Sequence, residues 1–377
     1  RVRHRASRKA GDGGVDDRED HRDDPSYPTF YMGINVGGAL GPIICGLLGE
    51  TMGWSYGFGA AAIGMIAGIV VFVLGKPLLL GNGEPPAPEK LAEKVGGIVS
   101  RETLIYLGSL VGVALVWWLI QHHAAVGSLL IGATFVVVAY LLWEACLKME
   151  RVDRERMFAI LFLVSLNPLF WGLFEQAGSS LNLYTDRHVD RNLLGFDVPA
   201  SVFQSINSIF IITLAPLFAA LWIWLGKRGW EPSTPAKFGL ALIQLGLGFL
   251  LLVAGAMAAG SGNATPVIFI FGIFLLHTTG ELCLSPVGLS AMSKLSLPRM
   301  MSLVMGVWFL ATSAGDYIAG MIAAMIGNEG AESGDQVAAF LGAYRMVGGI
   351  AIGVGALVLL LAPVIRRWMH EVETSST

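Results

Sequence analysis

The sequence predicts an all-α polytopic membrane protein with ten transmembrane helices. Three observations predict it. Of the 377 residues, 54% are hydrophobic and only 14% charged, with mean hydropathy +0.64, whereas soluble domains carry about 25% charged residues. Apolar stretches run at about 28–50, 54–76, 103–121, 126–146, 157–183, 200–225, 238–259, 266–293, 301–326 and 338–365. Each approaches or exceeds the roughly 20 residues that cross a bilayer core. Finally, the loops alternate in charge. With the N-terminal tail inside, the 25 Lys and Arg residues fall in the tail or in inside loops, except Arg187, Arg191 and Arg345. That is the positive-inside pattern, and it places both chain ends on the cytoplasmic side of the membrane.

The net charge of -3 carries little information about partners beside this distribution, and nothing indicates nucleic acid. Cys45, Cys146 and Cys283 lie in or beside apolar spans and make neither a disulfide nor a metal pattern. No glycine loop for nucleotides, no catalytic triad and no metal cluster occurs in the sequence. The chain therefore reads as a non-enzyme without cofactor or metal. An ATP-driven pump would need a nucleotide-binding part, so an ion gradient is left as the energy source.

Residues 1–26 are highly charged and lack a hydrophobic period, which predicts a disordered cytoplasmic tail. The first span reads FYMGINVGGALGPIICG. Asn35 lies there among Gly33, Gly37 and Gly38, which permit close helix packing, and Pro42 predicts a kink. Residues 27–77 thus hold two spans. The linker 78–102 is rich in Pro, Gly and charge. The pair at 103–146 has almost no polar residue at mid-depth and reads as a peripheral insertion, with His122 and His123 in its turn. Residues 147–377 supply six more spans and a tail.

Polar residues at membrane depth concentrate in those six spans. NPLFWGLFEQAGSS places Trp171 and Glu175 four apart on one helix face. Gln176 follows, and Gly178, Ser179 and Ser180 allow packing or a bend. FQSINSIFIITLAPLF places Gln204 and Asn207 three apart, with Pro216 further on. In LLHTTGELCLSPVGLS, Glu281 lies near the centre of a span, with His277 one turn before it, Ser285 one turn after it and Pro286 as a helix break. A charged side chain at that depth costs about 2.5–3.5 kcal/mol on insertion scales. Glu281 and Glu175 are thus either proton-handling groups or acids satisfied by neighbouring helices. The amides are either ligand contacts or interhelical glue. In the ninth span Trp308, Thr312 and Asp316 share a face. Arg345 in the tenth offers an outer partner for Asp316, a possible gate pair.

At these residues the sequence resembles the proton-dependent oligopeptide transporter (POT/PTR) family of the major facilitator superfamily. The resemblance rests on FYMGINVGGALGPIICG with GWSYGFGAAAIGM, FWGLFEQAGSS, FQSINSIFIITLAPLFAALW, LLHTTGELCLSPVGLSAMSKL and MGVWFLATSAG, and covers about residues 29–365. It implies a partial major facilitator fold: the last two helices of the N-terminal bundle, an inserted pair and a complete six-helix C-terminal bundle. It further implies proton-coupled uptake of di- and tripeptides in the inner membrane, with nitrate or a peptide-like compound as the alternative cargo. A non-transporting membrane remnant is the reading from another class. By resemblance, Glu281 holds the peptide amino terminus, Asn35 and Asn207 assist, Glu175 couples gating to protons, Trp308 lines the pocket and Trp171 neighbours Glu175. Four further helices, with an ExxERFxYY signature and a lysine, are implied ahead of residue 27 and do not occur here. The chain is therefore expected to be truncated or frameshifted at its start, and defective in transport on its own.

Overall fold

The structure is a computed structural model that describes residues 23–370 except 82, 83, 86, 194, 261 and 334. Of the tail 1–26, predicted to be disordered, residues 1–22 lie outside the described residues, whereas 23–26 already belong to the first helix, a correction of the expected boundary. Ten helices among them are long and apolar enough to cross a membrane. We number them α1 to α10.

α1 begins at Asp23–Gly41 and passes through a π-helical turn, Pro42–Gly46, into Leu47–Met52. The turn starts at Pro42, the predicted kink, because proline removes a backbone donor. α2 is Trp54–Gly75, α3 Arg101–Ile120 and α4 His123–Lys148. Gly53 separates α1 from α2 with φ +114°, which glycine reaches at no steric cost. Ser100 caps α3 by accepting the Thr103 N–H at 3.2 Å. His122 closes the α3–α4 turn, its Nδ1 2.8 Å from the Trp118 carbonyl and its ring stacked on Trp118.

α5 starts as Arg151–Phe174, tightens into the 3₁₀ turn Glu175–Gly178 and resumes as Ser180–His188. α6 is Ser205–Gly226, α7 Thr234–Ala259, α8 Ile268–Leu295, α9 Met301–Ser333 and α10 Gln336–Met369. Pro286 does not break its helix: α8 runs through it unbroken. One missing N–H is tolerated where neighbouring helices hold the backbone. The interruption in this bundle falls in α5, at Glu175.

The buried core belongs chiefly to α5–α10, with Phe170, Tyr184, Phe238, Phe249 and Tyr344 among its fully buried large side chains, and α4 adds Leu141 and Ala145. By contrast α3 buries no residue. α4 docks on α9, where Gly127 receives the Tyr317 ring. Exposed apolar helices of this kind match a lipid surround.

Contacts between loops keep the alternation that ten spans require. Val189–Asp190 pairs in parallel with Thr265–Pro266, and Arg187 donates to Gln336 at 3.0 Å. On the opposite face, Arg156 donates to the Met369 carbonyl at 3.4 Å, His370 lies 2.6 Å from Glu155, and Arg299 lies 3.7 Å from Glu144. The second face is the arginine-rich one.

Candidate functional site

Glu281 is 9% exposed at the middle of α8. Its partner comes from α6: the Asn207 amide donates to Glu281 Oε2 at 3.0 Å and lies 3.0 Å from Thr278 Oγ1. Thr278 is itself anchored, donating to the Phe274 carbonyl at 2.7 Å. Two residues singled out in separate sequence stretches thus meet, because α6 packs beside α8. Gln204, three residues before Asn207, goes elsewhere. A 3₁₀ turn over Ala200–Gln204 precedes α6 and changes the phase of its side chains. Gln204 then lines a cleft of about 260 Å³ against Pro42, Cys45 and Trp54.

His277 also leaves the Glu281 site. It is buried, with Nε2 3.2 Å from the Leu245 carbonyl of α7. Gly248 makes room: a Cβ there would lie 2.7 Å from the ring. Histidine and glutamate one turn apart on α8 therefore serve two different neighbours.

Glu175 is half-buried where α5 changes from α to 3₁₀. The turn is held by Gln176, which is fully buried. Its amide donates to the Gly172 carbonyl at 2.9 Å and to the Ala319 carbonyl of α9 at 3.2 Å. Its oxygen accepts from Ser180 at 2.6 Å, and Tyr344 of α10 donates to Ser180 Oγ at 3.1 Å. The bend permitted by Gly178–Ser180 is thus a hydrogen-bonded structure. Glu175 and Glu281 lie within electrostatic reach of one another, and neither has a cationic partner among the described residues.

Trp171 packs edge-on against Phe170 and Phe174. Its indole N–H is buried without an acceptor. Asn35 of α1 is buried at 7% exposure. Trp308 departs from the expected pocket wall. It is 3% exposed, wedged against Gly288, where no side chain fits beside it, with Phe238 edge-on at 6.3 Å. In this conformation it is a core side chain, because the missing Cβ of Gly288 leaves a slot the size of an indole.

The expected pair of Asp316 and Arg345 does not form. Arg345 turns to α7, with Nη2 3.2 Å from Met257 Sδ. Asp316 lies on the stretch of α9 between Gly315, which packs on Gly172, and Ala319, whose carbonyl takes the Gln176 amide. α9 and α10 do touch, but Arg345 is engaged by α7, which linear spacing cannot reveal. Asn167 was not singled out from the sequence. It is fully buried, accepts from Thr312 at 3.3 Å and reaches the Trp308 carbonyl at 3.5 Å. Its signal was available: an amide at mid-depth, two turns before Glu175.

The family model described as the POT family matches residues 14–338. The chain belongs to the POT family. It is 34% identical to an uncharacterised transporter, YclF, of Bacillus subtilis (strain 168), over 94% of this chain and 70% of that protein. It is 33% identical to the peptide transporter YePEPT of Yersinia enterocolitica, over 95% of this chain and 71% of that one. Among solved structures, peptide transporter POT in complex with sulfate superposes with a TM-score of 0.75 at 32% identity, covering 94% of this chain and 70% of that one. POT-family membership makes the major facilitator architecture of the ten helices plain, and the family is one of transporters.

Proposed function

We propose that this POT-family chain is part of a proton-coupled symporter of di- and tripeptides that works by alternating access, and that the chain on its own is defective in transport. The observation that carries the reading is Glu281: a buried carboxylate held by a neutral amide at 3.0 Å, with no cationic partner among the described residues. Such a site is completed by a cation from outside, and a peptide amino group is one. The Yersinia relative is a peptide transporter by name, which supports this cargo over nitrate, an anion that Glu281 would repel.

In this reading Asn207 and Asn35 hold the peptide backbone. The free N–H of Trp171 offers a donor beside Glu175. Glu175, on the break of α5, takes up and releases the proton that couples gating to the gradient. The proton gradient is the energy source, and no cofactor takes part. The arginine-rich face is cytoplasmic, as are both termini, and the membrane is the inner membrane. The opposite face is then the outer one.

The test is dipeptide accumulation in proteoliposomes under an inward proton gradient. It is run on the 377-residue chain and on a chimera whose segment ahead of Tyr27 is replaced by the preceding part of the Yersinia relative. The chimera should accumulate dipeptide and the chain alone should not. A chimera that reaches the membrane folded and accumulates no dipeptide overturns the symport reading. Accumulation by the chain alone removes the expected defect.

A further inference from the structure

Asp316 has no role in the reading above, yet the fold sets it beside Glu175. Gly315, just before it, presses on α5: a Cβ there would lie 2.8 Å from Trp171 Cβ, 3.1 Å from the Gly172 nitrogen and 3.2 Å from the Pro168 carbonyl. One turn later, the Ala319 carbonyl takes the Gln176 amide at 3.2 Å. Asp316 lies between these two contacts, at the level where α5 breaks. It is exposed, whereas Glu175 is half-buried and Glu281 buried.

The charged groups of the helices around α9 do not neutralise it. Arg345 of α10 is turned to Met257. On the last part of α5, Asp186 pairs with Arg191 at 3.3 Å, and the His188 ring packs on Tyr184 and Phe340. On α4, Glu144 is held by Lys148 at 2.7 Å near the cytoplasmic end. Tyr317 points away, into Gly127. What remains at the level of Asp316 is the α5 turn that carries Glu175. Next to that turn α5 meets α8, where the Phe174 and His277 rings lie 6.1 Å apart, one turn before Glu281.

We propose that Asp316 is the entry carboxylate of a three-acid proton path, loading Glu175, which passes the proton to Glu281. The proposal rests on the symport reading. Three acids of rising burial suit a path from an exposed position to a buried one. At each transfer one O–H bond breaks on the donor carboxyl and one forms on the acceptor. The negative charge moves back by one station, and no other bond changes.

The experiment compares proton-driven dipeptide accumulation with dipeptide exchange at equal pH, with proton entry followed by a pH dye inside the vesicles. It uses whichever form, chain or chimera, accumulates dipeptide. Asp316→Asn should lower the ratio of driven accumulation to exchange by about a hundredfold, the low end for a positioned proton-transfer group. It should also flatten the dependence on external pH, and Asp316→Glu should restore both. An unchanged ratio and pH profile in Asp316→Asn overturns the path. So does an equal loss of accumulation and exchange, which would mark Asp316 as structural or substrate-binding. If Asp316→Asn does not fold, Asp316→Ser is read by the same two criteria. If neither chain nor chimera accumulates dipeptide before any substitution, it is the symport reading that has failed, and the path falls with it.

Discussion

Glu281 and Trp171 present opposite halves of an unfinished polar contact. Glu281 is an acceptor held by Asn207 without a cation, and Trp171 is a donor without an acceptor. Removing the charge at Glu281 removes the buried carboxylate, held by Asn207, that suits a peptide amine. In the chimera, Glu281→Gln should therefore reach the membrane folded and accumulate no dipeptide; normal uptake by that variant would place the amine elsewhere. Asn207→Ala should cost about 1.5–3 kcal/mol, the range for a hydrogen bond to a charged group, which is about ten- to a hundredfold in apparent peptide affinity. Trp171→Phe keeps the ring stack and deletes the orphan N–H. It should leave thermal stability unchanged or raised while weakening peptide binding, as read by calorimetry or by KM. Unchanged binding would reduce Trp171 to packing. These polar residues were legible because each is an expensive group in an apolar span. Their partners were not, since hydropathy does not say which helix lies opposite. That is why Trp308 fills the slot at Gly288 and why Arg345 turns to Met257 rather than to Asp316.

Helices α7 and α10 show how an element-level contact can be built from glycine alone. Gly239 lies against the Gly355 carbonyl and Gly246 against the Gly348 carbonyl, so that Cβ atoms would come within 2.9 and 2.5 Å of those oxygens. The pairs step seven residues along each helix in opposite directions, as an antiparallel crossing of two backbones requires. In lipid, where no hydrophobic force joins helices, such approach supplies the packing energy. Gly246→Leu must push the helices apart and should destabilise the bundle by about 1–3 kcal/mol, the usual cost of overpacking. A lower midpoint in thermal unfolding in detergent would show it, and a midpoint equal to the parent's would mean that the seam does not carry the bundle. The ten spans themselves were legible, since 20 apolar residues leave few alternatives to a spanning helix. The position of the break was not. Pro286 removes one hydrogen bond inside a tightly packed α8. In α5, by contrast, the Gln176–Ser180–Tyr344 network rewards a turn at Glu175, and that network draws on α10, far away in sequence.

For the whole molecule, the seam between α1 and α6 sets which face is open. Ser205 donates to the Ala39 carbonyl at 2.8 Å, and Glu50 accepts the Ser201 N–H at 3.0 Å. Gly46 admits Ser201, and Gly38 admits Ser208. All four contacts lie from the middle of these helices towards the face opposite the arginine-rich one. In the other half of α6, Leu217 and Ile223 are exposed. The seam is therefore joined towards the face opposite the arginine-rich one. Alternating access by rocking of bundles requires the seam to separate once per cycle. A bond across it should stop transport without touching the Glu281 site. Gly38 and Ser208 suit the purpose: a Cβ at Gly38 would lie 3.5 Å from Ser208 Cβ, within the roughly 3.5–4.5 Å that disulfides span. In the chimera, in a background lacking Cys45, Cys146, Cys283 and any cysteine of the added segment, G38C with S208C should form a disulfide on mild oxidation. Dipeptide accumulation should then cease and return on reduction, while each single variant stays insensitive to oxidant. Transport at the reduced rate by fully cross-linked protein would show that α1 and α6 travel together, and the moving boundary would have to be sought between other helices.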